Sequence, residues 1–248
     1  MVNEKTATKR KTKKTKKKGF WGKLWKVIWV TTLCFFGFSI FMTIVYRFIN
    51  PPITILMVQR TIEQSFSPKR DVRLQKDWVD IDEINNNMVR AVVASEDNMF
   101  LKHNGFDTKA IERAIEYNKR GKKIRGGSTI SQQTAKNVFL WNRRSWIRKG
   151  LETYYTVLIE FFWPKERIME VYLNVIEFGD GIYGVEAAAN HYFGKSAKKL
   201  TKRESALLAS VLPSPLKRNP ARPTPYLNAR ANRVMYMMDK HGRIRFKK

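Results

Sequence analysis

Residues 95–105 read SEDNMFLKHNG, and this stretch ends the first strongly periodic segment of the chain. Apolar residues recur at intervals of four between positions 84 and 92, which predicts an amphipathic helix that carries Glu96 at its carboxyl end. The acidic pair Glu96-Asp97 is unusual in so basic a chain. It therefore marks a candidate site at the end of a predicted helix.

Helical signals continue along the rest of the chain. Asp80 with Glu83 has the spacing of a capping box and predicts the start of that first helix. Three further helices are predicted from Asp107 or Thr108 to about Lys119, from Ser128 to about Phe139, and from Ser145 to Phe162. Pro164 is predicted in the first turn of the next helix. Another helix starts at Thr201, and the last extends from Thr224-Pro225 to Gly242. We find no alternating strand pattern and no repeat, so the predicted fold class is all-α.

A single transmembrane helix is predicted before this domain. Residues 27–46 read VIWVTTLCFFGFSIFMTIVY without a charge, and twenty helical residues extend over ~30 Å, the thickness of a bilayer core. A cleaved signal peptide has a shorter apolar stretch and a small-residue cleavage site, so we interpret the segment as a retained anchor, with a buried core helix as the weaker alternative. Residues 1–26 hold eleven Lys/Arg, which predicts a cytoplasmic amino terminus and places everything after Tyr46 outside.

Four regions follow from these patterns. Residues 1–26 form a basic cytoplasmic tail, residues 27–46 the transmembrane helix, residues 47–77 a proline-containing connector near the membrane, and residues 78–248 a helical domain.

The charge balance sets the classes of partner. A formal net charge of +27 favours nucleic acid, an anionic membrane surface or a phosphorylated substrate. Because the basic tail adjoins the predicted span, we expect it to lie on anionic lipid headgroups rather than on nucleic acid. Cys34 is the only cysteine, so the domain must be stable without an intrachain disulfide.

The stretch RGGSTISQQTAKN, residues 125–137, is a candidate anion site. Glycines allow close backbone approach to a ligand, and the free amides of a helix start favour phosphate. Gln132 and Lys136 are four residues apart and share a helix face. The stretch lacks the Gly-Lys-Ser/Thr order of a nucleotide P-loop, and an ordinary glycine turn before a capped helix explains it equally well.

Two glutamates are candidates for paired carboxylates, which acid/base work on sugars requires. Glu96 ends the first helix, and Glu152 follows Arg148 by four residues. The alternative for Glu152 and its basic neighbours is an exposed salt-bridged face of little energetic value. His103 has no evident catalytic partner, and we expect it to fix the turn at Asn104-Gly105.

Together these segments resemble the peptidoglycan glycosyltransferases of the lysozyme-like fold (glycosyltransferase family 51), in the monofunctional form with one anchor and one catalytic domain. Five blocks over roughly residues 80–242 carry the resemblance: EDNMFLKHNG (96–105), GGSTISQQTAKN (126–137), RKGLE (148–152), KERIMEVYLN (165–174) and FGDGIYGVEAAANHYFGK (178–195).

The resemblance implies polymerisation of lipid II into glycan strands by a glycosyltransferase domain over residues 78–248. Glu96 would be the general base, and Glu152 the second carboxylate, orienting or electrostatic. The substrate-binding residues that the resemblance implies, at the pyrophosphate and along the same cleft, are Arg113, Ser128, Gln132, Gln133, Lys136, Arg144, Arg148 and Lys149.

The resemblance also sets expectations for partners and location. The substrates are lipid II and the growing glycan strand at the bacterial inner membrane, with membrane lipids as partners and no nucleic acid. No cofactor is required, and a divalent cation, Mg²⁺ or Mn²⁺, is compatible with the pyrophosphate. Because the sequence ends at residue 248 without a transpeptidase domain, we expect cross-linking by separate transpeptidases and association with division or elongation proteins.

Two other functions share these features. A lytic peptidoglycan glycosidase of the same fold would use a glutamate as the acid, but it would not need a cationic pyrophosphate site. A membrane-tethered basic module that binds anionic wall polymer or nucleic acid would be indifferent to the loss of Glu96.

Overall fold

The computed structural model of the chain describes residues 20–68, 71–119, 121, 126–143 and 145–246. The chain divides into two compact units, Met1–Met42 and Thr43–Lys248. All described residues of the first unit belong to helix α1 (Phe20–Phe48), whose last residues lie in the second unit. By length and composition this helix can cross a membrane, so the predicted apolar helix at residues 27–46 is confirmed.

The described residues contain ten α-helices, and nine of them follow α1. They are α2 (Ile55–Ser65), α3 (Asn86–Glu96), α4 (Thr108–Lys119), α5 (Ile130–Phe139), α6 (Trp146–Phe162), α7 (Lys165–Val175), α8 (Val185–Phe193), α9 (Lys202–Val211) and α10 (Pro225–His241). Short 3-10 helices lie at Ile81–Glu83 and Ala197–Lys199. The predicted all-α class is confirmed.

Two groups of helices carry the core of the second unit. Helices α3, α9 and α10 pack against one another, and α5 packs against both α6 and α7. The largest buried side chains include Phe100, which follows α3, and Tyr172 on α7. Burial of large apolar side chains such as these is a major favourable contribution to the free energy of folding. The site described below lies where residues of the two groups meet.

A small three-stranded sheet accompanies the helices and was missed in the sequence. Its strands are β1 (Gln75–Lys76), β2 (Glu177–Gly179) and β3 (Ile182–Tyr183), with β3 in the centre. β1 pairs with β3 in parallel, whereas β2 and β3 are antiparallel. Strands of two or three residues are too short to show an alternating pattern.

The predicted start of the first helix is wrong. Asp80 makes no side-chain cap bond and precedes only the 3-10 turn, whereas the Asn85 side chain accepts the amide of Asn87 and caps α3. The capping-box spacing was present at Asp80, but Asn85 provides the cap that the α-helix uses.

Two other predicted helix starts shift by one or two residues. The helix predicted from Ser128 begins at Ile130, after its cap Thr129. Pro164 is the residue before α7, rather than part of its first turn.

The segment predicted as a connector, residues 47–77, contains α2 as well as β1. Thr54 caps α2, and Leu56 and Met57 are buried on one side of the helix. Its other side is apolar and exposed, as at Ile62, so no clear period was visible in the sequence. The connector therefore includes a packed element of the second unit.

Candidate active site

Glu96 is the last residue of α3, and its side chain is 13% exposed. The Ser95 hydroxyl donates to Oε1 at 2.9 Å, and the Gln133 amide donates to Oε2 at 3.1 Å. A carboxylate oxygen has two lone pairs, so each oxygen of Glu96 retains one after these bonds. The carboxylate is therefore oriented by neutral donors and retains the capacity to accept a proton.

Gln133 has its orientation fixed from the opposite side by Tyr172. The Tyr172 phenol is buried, and this burial, followed by the charges of Glu96 and Asp97, raises the pKa of Tyr172 well above its ordinary value. The phenol therefore stays protonated and donates to Gln133 Oε1 at 3.2 Å. Because the amide oxygen of Gln133 accepts this hydrogen bond from Tyr172, the amide nitrogen of Gln133 faces Glu96.

Asp97 connects the end of α3 to the start of α5. Its buried carboxylate accepts the backbone amide of Ile130 at 3.0 Å and contacts His103 Nε2 at 2.9 Å. His103 was expected to fix the turn at Asn104-Gly105; the polar contact that the structure shows for its ring is the one with Asp97. Gly105 has φ +88°, and a side chain there would meet Thr156 at 2.8 Å, so glycine is required at this turn.

Helix α5 begins with a complete capping box. The Thr129 side chain accepts the amide of Gln132, and the Gln132 side chain accepts the amide of Thr129 at 3.0 Å. Thr129 Oγ1 also donates to the carbonyl of Gly105 at 2.6 Å. Gln132, predicted to line the cleft, is thus held in the helix cap, while the preceding Ser128 is exposed.

Several of the predicted residues line two cavities at this helix start. Glu96, Arg113 and Ser128 border a cavity of about 260 Å³. Ser128, Gln132 and Lys149 border a second cavity of about 310 Å³. Ser128 therefore lies on the wall shared by the two cavities. Arg144, also predicted, lies outside the described residues.

Glu152 differs from Glu96 in that its direct hydrogen-bond donors are cations. It is buried in α6, where Arg148 Nη1 lies 2.6 Å from Oε2 and Lys149 Nζ lies 2.5 Å from Oε1. Each oxygen is therefore bound by a cation. This arrangement fits an anion that orients two basic side chains, and Arg148 and Lys149 together leave one net positive charge.

Lys136 provides an additional cation one turn along α5 from Gln133. Desolvation by burial lowers the pKa of Lys136, although the nearby Glu152 opposes the shift. Among the described residues, its ammonium has no hydrogen bond and no ion pair. Together with Gln133 and Arg148 it borders a cavity of about 320 Å³. A partly buried cation that faces a cavity without a partner is suited to an anionic ligand.

Sequence reasoning missed several residues around the site. Arg60 and Asn137 border the same cavity as Lys136, and Arg60 belongs to the helix that was taken for a connector. Arg230 of α10 donates to the Ser95 hydroxyl at 3.2 Å and lies 3.7 Å from Glu96 Oε1. Arg230 is 135 positions from Ser95, and no local pattern could have joined the two.

Comparison with known proteins identifies the family. Residues 63–239 match the model of the transglycosylase family, a range that begins in α2, ends in α10 and includes every predicted site residue. The chain belongs to this transglycosylase family. The resemblance drawn from the five sequence blocks is thereby confirmed.

Several curated relatives of this transglycosylase are about half identical to it. One from Bdellovibrio bacteriovorus is 50% identical over 215 residues, which are 87% of this chain and 86% of the relative. One from Xanthomonas campestris pv. campestris (strain B100) is 52% identical over 80% of each chain. One from Caulobacter vibrioides is 54% identical over 77% of this chain and 80% of the relative. All three are named biosynthetic peptidoglycan transglycosylase.

Proposed function

We propose that this chain is a peptidoglycan glycosyltransferase that polymerises lipid II into glycan strands for the bacterial cell wall. The family and the names of the curated relatives support this activity. The observation that carries it is the arrangement on α5, where Gln133 holds Glu96, and Lys136, one turn later, faces a cavity as a cation without an ion pair among the described residues. The proposed base and the proposed site for the anionic leaving group therefore both lie beside the same turn of α5.

Glu96 is the general base in this proposal. Its carboxylate takes the proton from the 4-hydroxyl of the acceptor GlcNAc, and that oxygen forms a bond to C1 of the terminal MurNAc of the growing chain. The bond from C1 to the lipid pyrophosphate breaks, and the pyrophosphate leaves with the electron pair. Attack opposite the leaving group inverts the anomeric centre from α to β, and the proton remains on Glu96 until solvent removes it.

The basic residues hold the pyrophosphate and stabilise the charge that develops on it. We assign this role to Lys136 and Arg148, and to Lys149 and Arg113 at the neighbouring cavities, with Arg144 retained from the family resemblance. Glu152 orients Arg148 and Lys149 and does not transfer the proton. Ser128, Gln132 and Gln133 complete the lining of the cleft.

The unpaired cation also separates this function from hydrolysis of glycan. A lytic glycosidase acts on a neutral glycosidic bond and has no use for a partly buried Lys136 that makes no direct ion pair within the described part of the chain. The membrane-tethered binding module, in turn, gives no role to a carboxylate oriented through both oxygens. Under either alternative, lipid II would remain unpolymerised.

The test is polymerisation of fluorescent lipid II by the detergent-solubilised full chain, with products separated on a gel before and after lysozyme digestion. We expect a lysozyme-sensitive ladder from the unaltered chain and from Glu112→Gln, a matched loss of an exposed carboxylate on α4. Glu96→Gln should lower the rate by about 10²–10⁴-fold. Unchanged lipid II with the unaltered chain contradicts the polymerase, and an active Glu96→Gln contradicts the assigned base.

The membrane-anchored protein is proposed to expose its catalytic domain outside the bacterial inner membrane. The eleven Lys/Arg of residues 1–26 support a cytoplasmic amino terminus. Digestion by trypsin should therefore remove this tail in inverted vesicles and leave it intact in spheroplasts. The opposite pattern would reverse the orientation.

Membrane lipids are also proposed to contact the second unit directly. Exposed apolar side chains follow one side of α2 and one side of α6, and they are Ile55, Val58, Ile62, Phe66, Trp146, Ile147, Val157 and Phe161. Helix α2 follows α1 after six residues, so its exposed side lies close in sequence to the proposed span. Such apolar sides are stabilised by contact with acyl chains at the bilayer surface.

We propose that polymerisation requires no resident cofactor and that Mg²⁺ or Mn²⁺, where it contributes, arrives with the substrate phosphates. Within the described ranges, no group of three His, Cys, Asp or Glu side chains gathers, and both oxygens of Glu152 are bound by cations. Activity that survives dialysis against EDTA supports this. Separate transpeptidases and division or elongation proteins remain proposed partners for cross-linking.

A further inference from the structure

Arg230 is a basic side chain that reaches the Glu96 carboxylate from α10, the last helix. Its Nη2 donates to the Ser95 hydroxyl at 3.2 Å and lies 3.7 Å from Glu96 Oε1. The side chain is 29% exposed, and its Nε is buried without a hydrogen-bond partner among the described residues. A cation within 4 Å of the proposed base therefore comes from outside the five sequence blocks.

The Ser95 hydroxyl transmits this contact to Glu96. A hydroxyl has one proton, and Ser95 directs it to Glu96 Oε1 at 2.9 Å or to the Ala209 carbonyl at 3.3 Å. When Arg230 donates to the serine oxygen, the hydroxyl proton must point away from the guanidinium. The shorter contact to a charged acceptor is then favoured, and the positive charge strengthens it by polarising the hydroxyl.

A matching chain of donors holds the other oxygen. Tyr172 donates to Gln133, which donates to Glu96 Oε2. Each oxygen is thus fixed by a relay of two side chains, and rotation of the carboxylate would break both relays. Gln133 belongs to one of the five blocks, whereas Ser95 and Arg230 lie outside them.

We propose that Arg230 is a positioning residue for the Glu96 carboxylate and acts through the Ser95 hydroxyl. The inference rests on the proposed function, in which Glu96 is the general base. A base must meet the acceptor hydroxyl within hydrogen-bonding distance, and a displacement of about 1 Å can reduce the rate by about 10²-fold. Arg230 therefore contributes to the chemical step and not to substrate affinity.

The test is steady-state polymerisation of lipid II by the full chain with Arg230→Gln, Arg230→Lys and Ser95→Ala. Arg230→Gln and Ser95→Ala should each lower kcat about tenfold or more while KM stays within about twofold. Arg230→Lys keeps the charge and should recover part of the loss. Arg233→Gln removes an exposed arginine from the same helix and should leave kcat unchanged.

A double variant separates positioning from packing of α10. Because Arg230 acts through Ser95, Arg230→Gln with Ser95→Ala should lose little more than either single variant, whereas independent effects would multiply. A rise in KM with unchanged kcat would instead identify Arg230 as a substrate contact. Effects of Arg230→Gln and Ser95→Ala that multiply in the double variant would identify Arg230 as a structural residue. Either result overturns the inference. If the unaltered chain makes no polymer, the proposed function is wrong. If the unaltered chain and Arg230→Gln polymerise lipid II equally well, only the positioning role of Arg230 is wrong.

Discussion

At the scale of single residues, the two candidate carboxylates are distinguished by the charge of their donors. Glu96 accepts from a serine and a glutamine, whereas Glu152 lies between an arginine and a lysine. Neutral donors orient a carboxylate without neutralising it, but two cations commit it to ion pairing. The residue type was evident from the sequence, and the difference in role depends on neighbours that only the fold supplies.

Glu152→Gln should destabilise the chain strongly, because it leaves Arg148 largely buried without its partner. Removing one member of a buried ion pair typically costs about 3–5 kcal/mol. Glu83→Gln is the matched control, since Glu83 pairs with Lys198 at the surface, where both side chains are more than half exposed. We expect the control to change stability by less than about 1 kcal/mol in chemical denaturation. Equal effects of the two substitutions would show that Glu152 is not a buried structural anion.

The pH dependence of pyrophosphate affinity should reflect Lys136. Because burial lowers the pKa of Lys136, its charge is lost at a lower pH than that of an exposed lysine, and affinity for the anion should fall there. The stability of the fold should change with pH in the opposite direction. Between the folded and the unfolded pKa of Lys136, the unfolded chain binds more protons than the folded chain. The free energy of unfolding therefore rises with pH in this range. Both trends are measured by thermal unfolding with and without inorganic pyrophosphate across pH.

Lys136→Arg provides the matched variant for this titration, because a guanidinium stays charged throughout the accessible range. We expect the stabilisation by pyrophosphate to persist at high pH in Lys136→Arg and to be absent at every pH in Lys136→Met. Lys199→Met, at an exposed lysine, should behave as the unaltered chain. A pyrophosphate effect that survives in Lys136→Met would remove Lys136 from the anion site.

At the scale of elements, capping residues allowed most helix boundaries to be predicted. Ser145, Thr201 and Thr224 each cap the helix assigned to them, and Gly242 ends the last one. These caps act through hydrogen bonds to amides two or three residues away, so the sequence contains the whole interaction.

Elements that depend on distant partners were missed or misplaced. Strand β1 exists only through its pairing with β3, more than 100 residues along the chain, and α2 is apolar on two sides. The candidate site shows the same limit, since Glu96 and Gln133 were predicted but their contact was not. Local patterns predict which side chains carry the chemistry, and tertiary contacts decide how those side chains are oriented.

The capping box at Thr129 should matter for activity as well as for stability. Thr129 and Thr201 both form complete capping boxes, but only Thr129 also donates to the Gly105 carbonyl next to the site. Either threonine changed to alanine should cost about 0.5–2 kcal/mol in unfolding experiments. Only Thr129→Ala should also lower kcat, because it releases the start of α5 that carries Gln133 and Lys136. Equal kcat values for the two variants would separate the cap from catalysis.

At the scale of the whole molecule, the candidate site is assembled from two groups of helices. α3 and α10 bring Glu96 and Arg230, while α5 and α6 bring the cations and Glu152. The base and the anion site therefore belong to separately packed parts of one core. This arrangement suits the proposed reaction, because the cations that would stabilise the leaving group lie in the same core as one oriented carboxylate.

The proposed contact of α6 with the bilayer can be tested through the single cysteine. Cys34→Ser leaves a cysteine-free chain, and Phe161→Cys then accepts an environment-sensitive fluorophore at a side chain that is 80% exposed. In proteoliposomes we expect the label at position 161 to show the blue-shifted emission of an apolar environment. Tyr236→Cys on α10, at a side chain that is 59% exposed, is the matched control and should report water. Water-like emission at both positions would mean that the exposed apolar side of α6 does not contact lipid.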